Sequence, residues 1–359
     1  MKAGFHKLLA FMAIGIAVSA CKGRGQAVFA DVVTEEVPSR EDRALRRHRR
    51  DSIRAERARE RERTTFVDTL EYNAILDSLA VGDTTGRWPV KGAPYPYKGA
   101  ILPYHRIVAY YGNMYSKRMG VLGEYAPDTL WQMLRSEVAA WEKADPSMPV
   151  IPAIHYIAST AQGSPGRDKM YRMRMPAKQI DSALAIAAMG DAIVFLDIQV
   201  GHSTVQKEVP VLEEYLKLPN VHLALDPEFA MHGGVLPGKK IGTMDAKEIN
   251  WCAEYLQNLV KENGLPPKVL IVHRFTEGMV TGASKIRPLP EVQIVMDMDG
   301  WGGPALKKNT YRQCIFKAPV QFAGFKLFYK NDLREKPYRM LTPEEVLGLC
   351  PKPIYIQYQ

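Results

Sequence analysis

Cysteine is scarce in this chain: four among 359 residues. Cys21, Cys252, Cys314 and Cys350 are widely spaced, and only three remain beyond Cys21. That count argues against a disulfide framework and against a thiolate zinc site. It leaves three small packed residues, with a bridge between one pair still open. No Gly-rich dinucleotide or phosphate loop follows the first strand-like run, which removes the usual nucleotide-binding signatures. No His-x-His occurs on that run, and the histidines do not cluster at ligand spacing along the chain. The expectation is therefore no metal and no cofactor. Internal sequence repeats are absent as well.

What is present is an alternation. Eight short runs rich in β-branched and aromatic residues follow one another between Arg106 and Gln359. They are Arg106–Tyr111, Val150–Ile157, Ala192–Val200, Val221–Glu228, Val269–Phe275, Val292–Asp299, Phe322–Tyr329 and Pro353–Tyr358. Helical spacing separates most of them, at Asp128–Ala144, Pro176–Met189, Val209–Leu216, Asp245–Asn263, Lys307–Phe316 and Thr342–Leu349. The stretch Gly278–Pro290 is poorly helical. Strand, helix, strand, repeated to a count of eight, predicts an α/β fold: a (β/α)8 TIM-like barrel with its eighth helix missing. An open doubly wound sheet is the rival. It is disfavoured because the polar strand ends recur all the way round.

The residues before the barrel divide into three parts. Met1–Cys21 has a basic start, an apolar stretch Leu8–Val18 too short to span a membrane, and the ending Val18-Ser19-Ala20-Cys21. That ending resembles a bacterial lipobox, which implies export, lipid attachment at Cys21 and a place in the cell envelope. Lys22 after the cysteine resembles lipoproteins of the outer membrane of Gram-negative cells. Residues 22–64 form a charged tether. The formal net charge of +9 owes much to Arg40–Arg63, which has almost no large apolar residue and reads as a solvated helix or a disordered spacer. Export argues against nucleic acid as its partner. Residues 65–105 supply a short amphipathic helix and a Pro- and Tyr-rich arm packed on the barrel floor or rim; residues 106–359 form the barrel.

Period-two geometry sorts the polar strand ends. Asp197 and Gln199 share a face of the third strand, Asp226 and Glu228 of the fourth, Asp297 and Asp299 of the sixth. A lone carboxylate there often only caps a helix. Three such pairs demand cations, a metal or raised pKa values to persist together. Lys326 and His273 are the available partners, with His155 and Tyr156 ending strand two and Gln357 near the end of strand eight. Tyr110, Tyr111, Tyr156, Phe229, Trp301 and Tyr329 would stack on sugar faces. His202, His222 and His232 read as loop, surface or core residues. Basic side chains in the loops after strands one, two, four and five predict a positive rim suited to an acidic polymer.

The run Leu223–Glu228 (Leu-Ala-Leu-Asp-Pro-Glu) resembles the Asp-x-Glu end of strand four in barrel glycosidases, including lysozyme-type muramidases. The aspartate that those muramidases carry on strand one is replaced by Tyr110-Tyr111-Gly112-Asn113, and the chitinase-type Asp-x-x-Asp-x-Asp-x-Glu run is absent. The wider strings Tyr-Tyr-Gly-Asn, Leu-Asp-Ile-Gln, Leu-Asp-Pro-Glu, Asp-Gly-Trp-Gly and Gly-Phe-Lys-Leu-Phe-Tyr resemble exported bacterial barrel lipoproteins of an uncharacterised, glycoside-hydrolase-like family. The expectation is a glycoside hydrolase acting on a cell-envelope or extracellular carbohydrate. Glu228 is expected to be its general acid, Asp297 or Asp299 its base or nucleophile, and Asp226 and Asp197 its tuning groups. Tyr110, Tyr111, His155, Tyr156, Gln199, His273, Trp301, Lys326, Tyr329 and Gln357 are expected to contact substrate. The alternatives are a non-catalytic glycan-binding or scaffold barrel and a metal-dependent hydrolase.

Overall fold

A computed structural model describes residues 65–359 together with Ser52. Cys21, the signal-like start and, apart from Ser52, the Arg-rich run lie outside the described residues. Eight parallel strands close on themselves: β1 (Arg106–Gly112), β2 (Val150–Ala161), β3 (Ile193–Ile198), β4 (Val221–Leu225), β5 (Lys268–His273), β6 (Val292–Met298), β7 (Phe322–Leu327) and β8 (Tyr355–Tyr358). Each strand pairs with the next, and β8 returns to β1. The chain is a (β/α)8 barrel, as the alternation predicts.

Alternation along each strand makes two separate apolar layers. Ile107, Ala109, Phe195, Ala224, Ile271, Val295 and Tyr355 fill the barrel interior. Val108, Ile154, Leu196, Leu223, Val272, Phe325 and Ile356 face outward and join the side chains of the surrounding helices. Helix α1 (Thr69–Leu79) precedes the barrel, with Asp68 accepting from the amides of Leu70 and Glu71. The arm after it seals the N-terminal end of the barrel. Gln293, on the interior face of β6, brackets the peptide of Leu102: the Leu102 amide donates to Gln293 Oε1 at 3.0 Å, and Gln293 Nε2 donates to the Leu102 carbonyl at 2.5 Å.

Local chemistry sets the remaining helices. Helix α2 (Pro127–Ala144) opens on Pro127 at its first turn rather than on Asp128, because proline's fixed φ and missing N–H suit that position. Helix α3 (Ala177–Ala188) follows β2. Helix α4 (Ala246–Asn263) carries an Asp245–Glu248 capping box and stops at Gly264, whose φ of 62° is left-handed. Short turns of helix replace a full helix after β3, at Val205–Glu208 and Glu213–Leu216. After β5 there are 3-10 turns at Glu277–Met279 and Ala283–Lys285 and a two-residue strand, Val280–Thr281, that pairs with Met244–Asp245. Helix α5 (Pro304–Tyr311) continues into a π turn, and α6 (Pro343–Leu347) has a Thr342–Glu345 capping box. Helix α6 touches α2, and Trp141 of α2 donates to the Tyr358 hydroxyl at 3.0 Å. The outer face of β8 is covered in this way. Among the described residues, no helix is long and apolar enough to cross a membrane, and Cys252, Cys314 and Cys350 are free thiols.

Several strand ends are shorter than the apolar runs suggest. β4 stops at Leu225, and Asp226 opens a 3-10 turn over Pro227–Phe229. Proline removes the next ladder donor, and the Asp226 side chain accepts from the Glu228 amide at 3.2 Å. Asp226 and Glu228 are therefore neighbours across a turn, not along a strand.

Candidate active site

The polar pairs separate by depth. In β3 and β6 the first member of each pair, Asp197 and Asp297, lies inside the last ladder residues and is fully enclosed. The second members, Gln199 and Asp299, lie just past the strands and line a cleft of about 590 Å³ at the C-terminal end of the barrel. Asp226, Glu228, Tyr111, Trp301 and Lys326 line the same cleft, with Phe229, Phe275 and Phe328 among its aromatic walls. Loop backbone reaches this rim closely: a Cβ on Gly120 would lie 2.3 Å from the Tyr111 carbonyl, so only glycine fits there.

Gln199 ties the upper groups together. Its Nε2 donates to Asp226 Oδ2 at 3.0 Å, and its Oε1 accepts from the Ala161 amide at 3.0 Å. Both Asp226 oxygens are thus engaged, one as a turn cap and one with Gln199. Burial, then the charges of Asp197 and Asp299, still push the Asp226 carboxyl well above the ordinary range. Burial, followed by the Asp299 charge, pushes the Glu228 carboxyl up to about 7. Asp299 is raised too, first by burial, against the opposing pull of His273 and Lys326. The Lys326 ammonium sits 3.7 Å from the centroid of the Tyr111 ring, a cation–π contact.

Beneath the cleft lies a second layer. His273 and Asp297 are register partners on β5 and β6, so His273 Nδ1 meets Asp297 Oδ2 at 3.0 Å and Asp299 Oδ2 at 3.6 Å. His155 Nδ1 meets the Tyr355 hydroxyl at 2.6 Å, and Gln357 Nε2 donates to that hydroxyl at 2.9 Å. The two other imidazole nitrogens, Nε2 of His155 and of His273, each stand 3.6 Å from Asp197 Oδ2. Burial opposes ionisation of Asp197, but the two imidazoles overcome it and hold the carboxyl low. Burial would strip the proton from His273, yet Asp197 and Asp297 restore it and raise its pKa. His155 is lowered to about 4, mainly by burial.

This geometry places several of the residues expected to contact substrate away from the main cleft. Tyr110 and Tyr156 point outward, because the interior residues of their strands are Tyr111 and His155. Tyr110 instead hydrogen-bonds the Tyr329 hydroxyl at 2.9 Å, and Tyr329 donates to Glu137 at 2.6 Å. Tyr329 lines a smaller adjoining pocket rather than the main cleft. His155, His273, Asp197, Asp297 and Gln357 are enclosed below the cleft instead of lining it. The positive rim is partly neutralised. Arg172 and Arg174 both pair with Glu208, and Arg287 pairs with Glu254. Arg118 and Lys326 are the basic groups that line the main cleft. Spacing along the chain also misleads about the histidines: side-chain atoms of His155, Asp197 and His273 converge within 4.8 Å of one another. His222 is a core residue, its Nδ1 accepting from the Val269 amide. Tyr355, Phe275 and Phe328 carry no motif, and only their strand parity or loop position could have singled them out.

Fold and cleft define the class: a (β/α)8-barrel protein with a carboxylate-rich, aromatic-walled cleft at its C-terminal end. No protein-family model matches the chain, and no curated protein matches it either.

Proposed function

We propose that this chain is a glycoside hydrolase with Glu228 as general acid and Asp299 as base or nucleophile. The observation that carries the reading is the Glu228 carboxyl, held near 7 at the wall of a cleft with aromatic sides. An acid with that pKa is still about half protonated at neutral pH, where an ordinary glutamate is ionised, and can donate to a leaving oxygen. Asp299, which follows β6, one strand removed from β4, is the second carboxyl that lines the cleft. Asp226, with both oxygens engaged, positions Glu228. Half-exposed Trp301 offers a sugar-stacking face. Asp197 and Asp297 lie beside imidazoles beneath the cleft, whereas Glu228 and Asp299 line it, which favours turnover over a purely binding scaffold. The substrate class is a carbohydrate polymer of the envelope or the surroundings. Cys21 supports attachment of the protein to that envelope.

A panel of glycans incubated with wild type and Glu228→Gln tests the reading. Where wild type is active, the variant should lose about 10²–10⁴-fold in rate. Wild-type activity should fall as pH rises past about 7. Full activity in the variant would remove Glu228 from the mechanism.

A further inference from the structure

We propose that His155, Asp197 and His273 form a binding site for one divalent transition-metal ion of the zinc class, in the layer beneath the cleft. All three residues are fully buried, and none lines the cleft. Three strands, β2, β3 and β5, deliver them to one point, where their ligand atoms lie within 4.8 Å of one another.

The bonding pattern is that of a metal centre rather than of a closed hydrogen-bond network. Each imidazole uses Nδ1 outward, His155 to the Tyr355 hydroxyl at 2.6 Å and His273 to Asp297 at 3.0 Å. Metal-bound histidines almost always carry such an outer partner, which fixes the ring and directs the other nitrogen. The remaining atoms, Nε2 of both rings and both Asp197 oxygens, are buried without a geometrically sound hydrogen-bond partner. The two Nε2–Oδ2 separations are 3.6 Å, too long for a hydrogen bond. Ligand atoms about 2.0–2.1 Å from a tetrahedral ion lie about 3.3–3.4 Å apart, so a small inward shift of the three groups is enough.

Charge points the same way. Asp197, Asp226, Glu228, Asp297 and Asp299 set five carboxyls against Lys326 and Arg118 of the cleft wall and the His273 imidazole. A divalent ion on neutral imidazoles and one carboxylate would offset part of that excess. Two imidazoles and a carboxylate suit zinc, iron and cobalt, and disfavour calcium and magnesium, which take all-oxygen sets. Tyr111, whose ring centroid lies 5.1 Å from that of His155 and 6.0 Å from that of His273, also lines the cleft. The ion would therefore sit one side chain below the substrate space, as a support for the acidic floor.

The full chain, stripped with a chelator and dialysed, is titrated with Zn²⁺ by calorimetry and then loaded with Co²⁺ for visible spectroscopy. One equivalent of Zn²⁺ should bind, and the Co²⁺ form should show the intense bands of a low-coordinate site. His155→Gln and Asp197→Asn should each abolish both signals. Tyr355→Phe, which keeps the ring volume, should weaken binding about 10–100-fold while retaining the wild-type circular dichroism. No binding by wild type, or binding unchanged in Asp197→Asn and Tyr355→Phe, overturns the proposal. The measurement does not depend on the hydrolase reading: Glu228→Gln should bind metal like wild type, whatever becomes of its activity.

Discussion

At the scale of single residues, Glu228 has a consequence beyond catalysis. Its pKa rises from 4.5 to about 7, first through burial and then through Asp299. Between those values the folded chain holds a proton that the unfolded chain releases. Stability therefore falls as pH rises from about 4.5 toward 7. Glu228→Gln removes that contribution, while Asp226 keeps one of the same sign. Urea midpoints measured at about pH 5 and about pH 7.5 should differ less in the variant than in wild type. An equal difference would show that Glu228 is not perturbed in the folded state. The acidic strand-end residues were legible in the sequence because each follows an apolar run. The tyrosines were legible only in part: counting by twos from Ile107 places Tyr111 inside and Tyr110 outside, and aromatic character alone hides that distinction. His155 and His273 could not be paired from spacing, since 118 positions separate them and only barrel closure brings them together.

At the scale of elements, Gly324 shows how tightly the interior is filled. It sits on β7 opposite Asp297 in register. A Cβ there would lie 2.6 Å from Asp297 Oδ1 and 3.0 Å from the Tyr355 ring. Gly324→Ala should destabilise the protein by about 1–3 kcal/mol through overpacking, read as a lower urea midpoint. Gly278→Ala, where a Cβ would meet nothing within 4 Å, should leave the midpoint nearly unchanged. Equal midpoints for the two variants would contradict this account. Element starts and stops were readable wherever side chains make them. The Asp245 and Thr342 capping boxes and the Gly264 stop are local chemistry written in the sequence. The end of β4 was not readable as an end, because Asp226-Pro227-Glu228 continues the alternation of polar positions while its backbone has already turned.

At the scale of the whole molecule, eight alternations were enough to specify a closed barrel. Depth within it was not legible: a residue and its second neighbour share a face, yet one lies in the floor and the other in the cleft. Attachment of the chain is a separate question, resting on Cys21. Cys21→Ser should shift the expressed protein from the membrane fraction to the soluble fraction of a bacterial host, seen by blotting. A wild-type protein already soluble after export would count against a lipid anchor. One further consequence follows from Gln293 and Leu102. Their paired hydrogen bonds stopper the barrel at its N-terminal end. Between that stopper and the cleft the interior is packed with Ile107, Ala109, Phe195, Ile271 and Val295. The cleft, walled by Tyr111 and Lys326, is therefore the nearer side for any exchange of protons with His155 and His273. An occupant of the cleft would cover that layer, so proton exchange at the two histidines should slow when the cleft is filled.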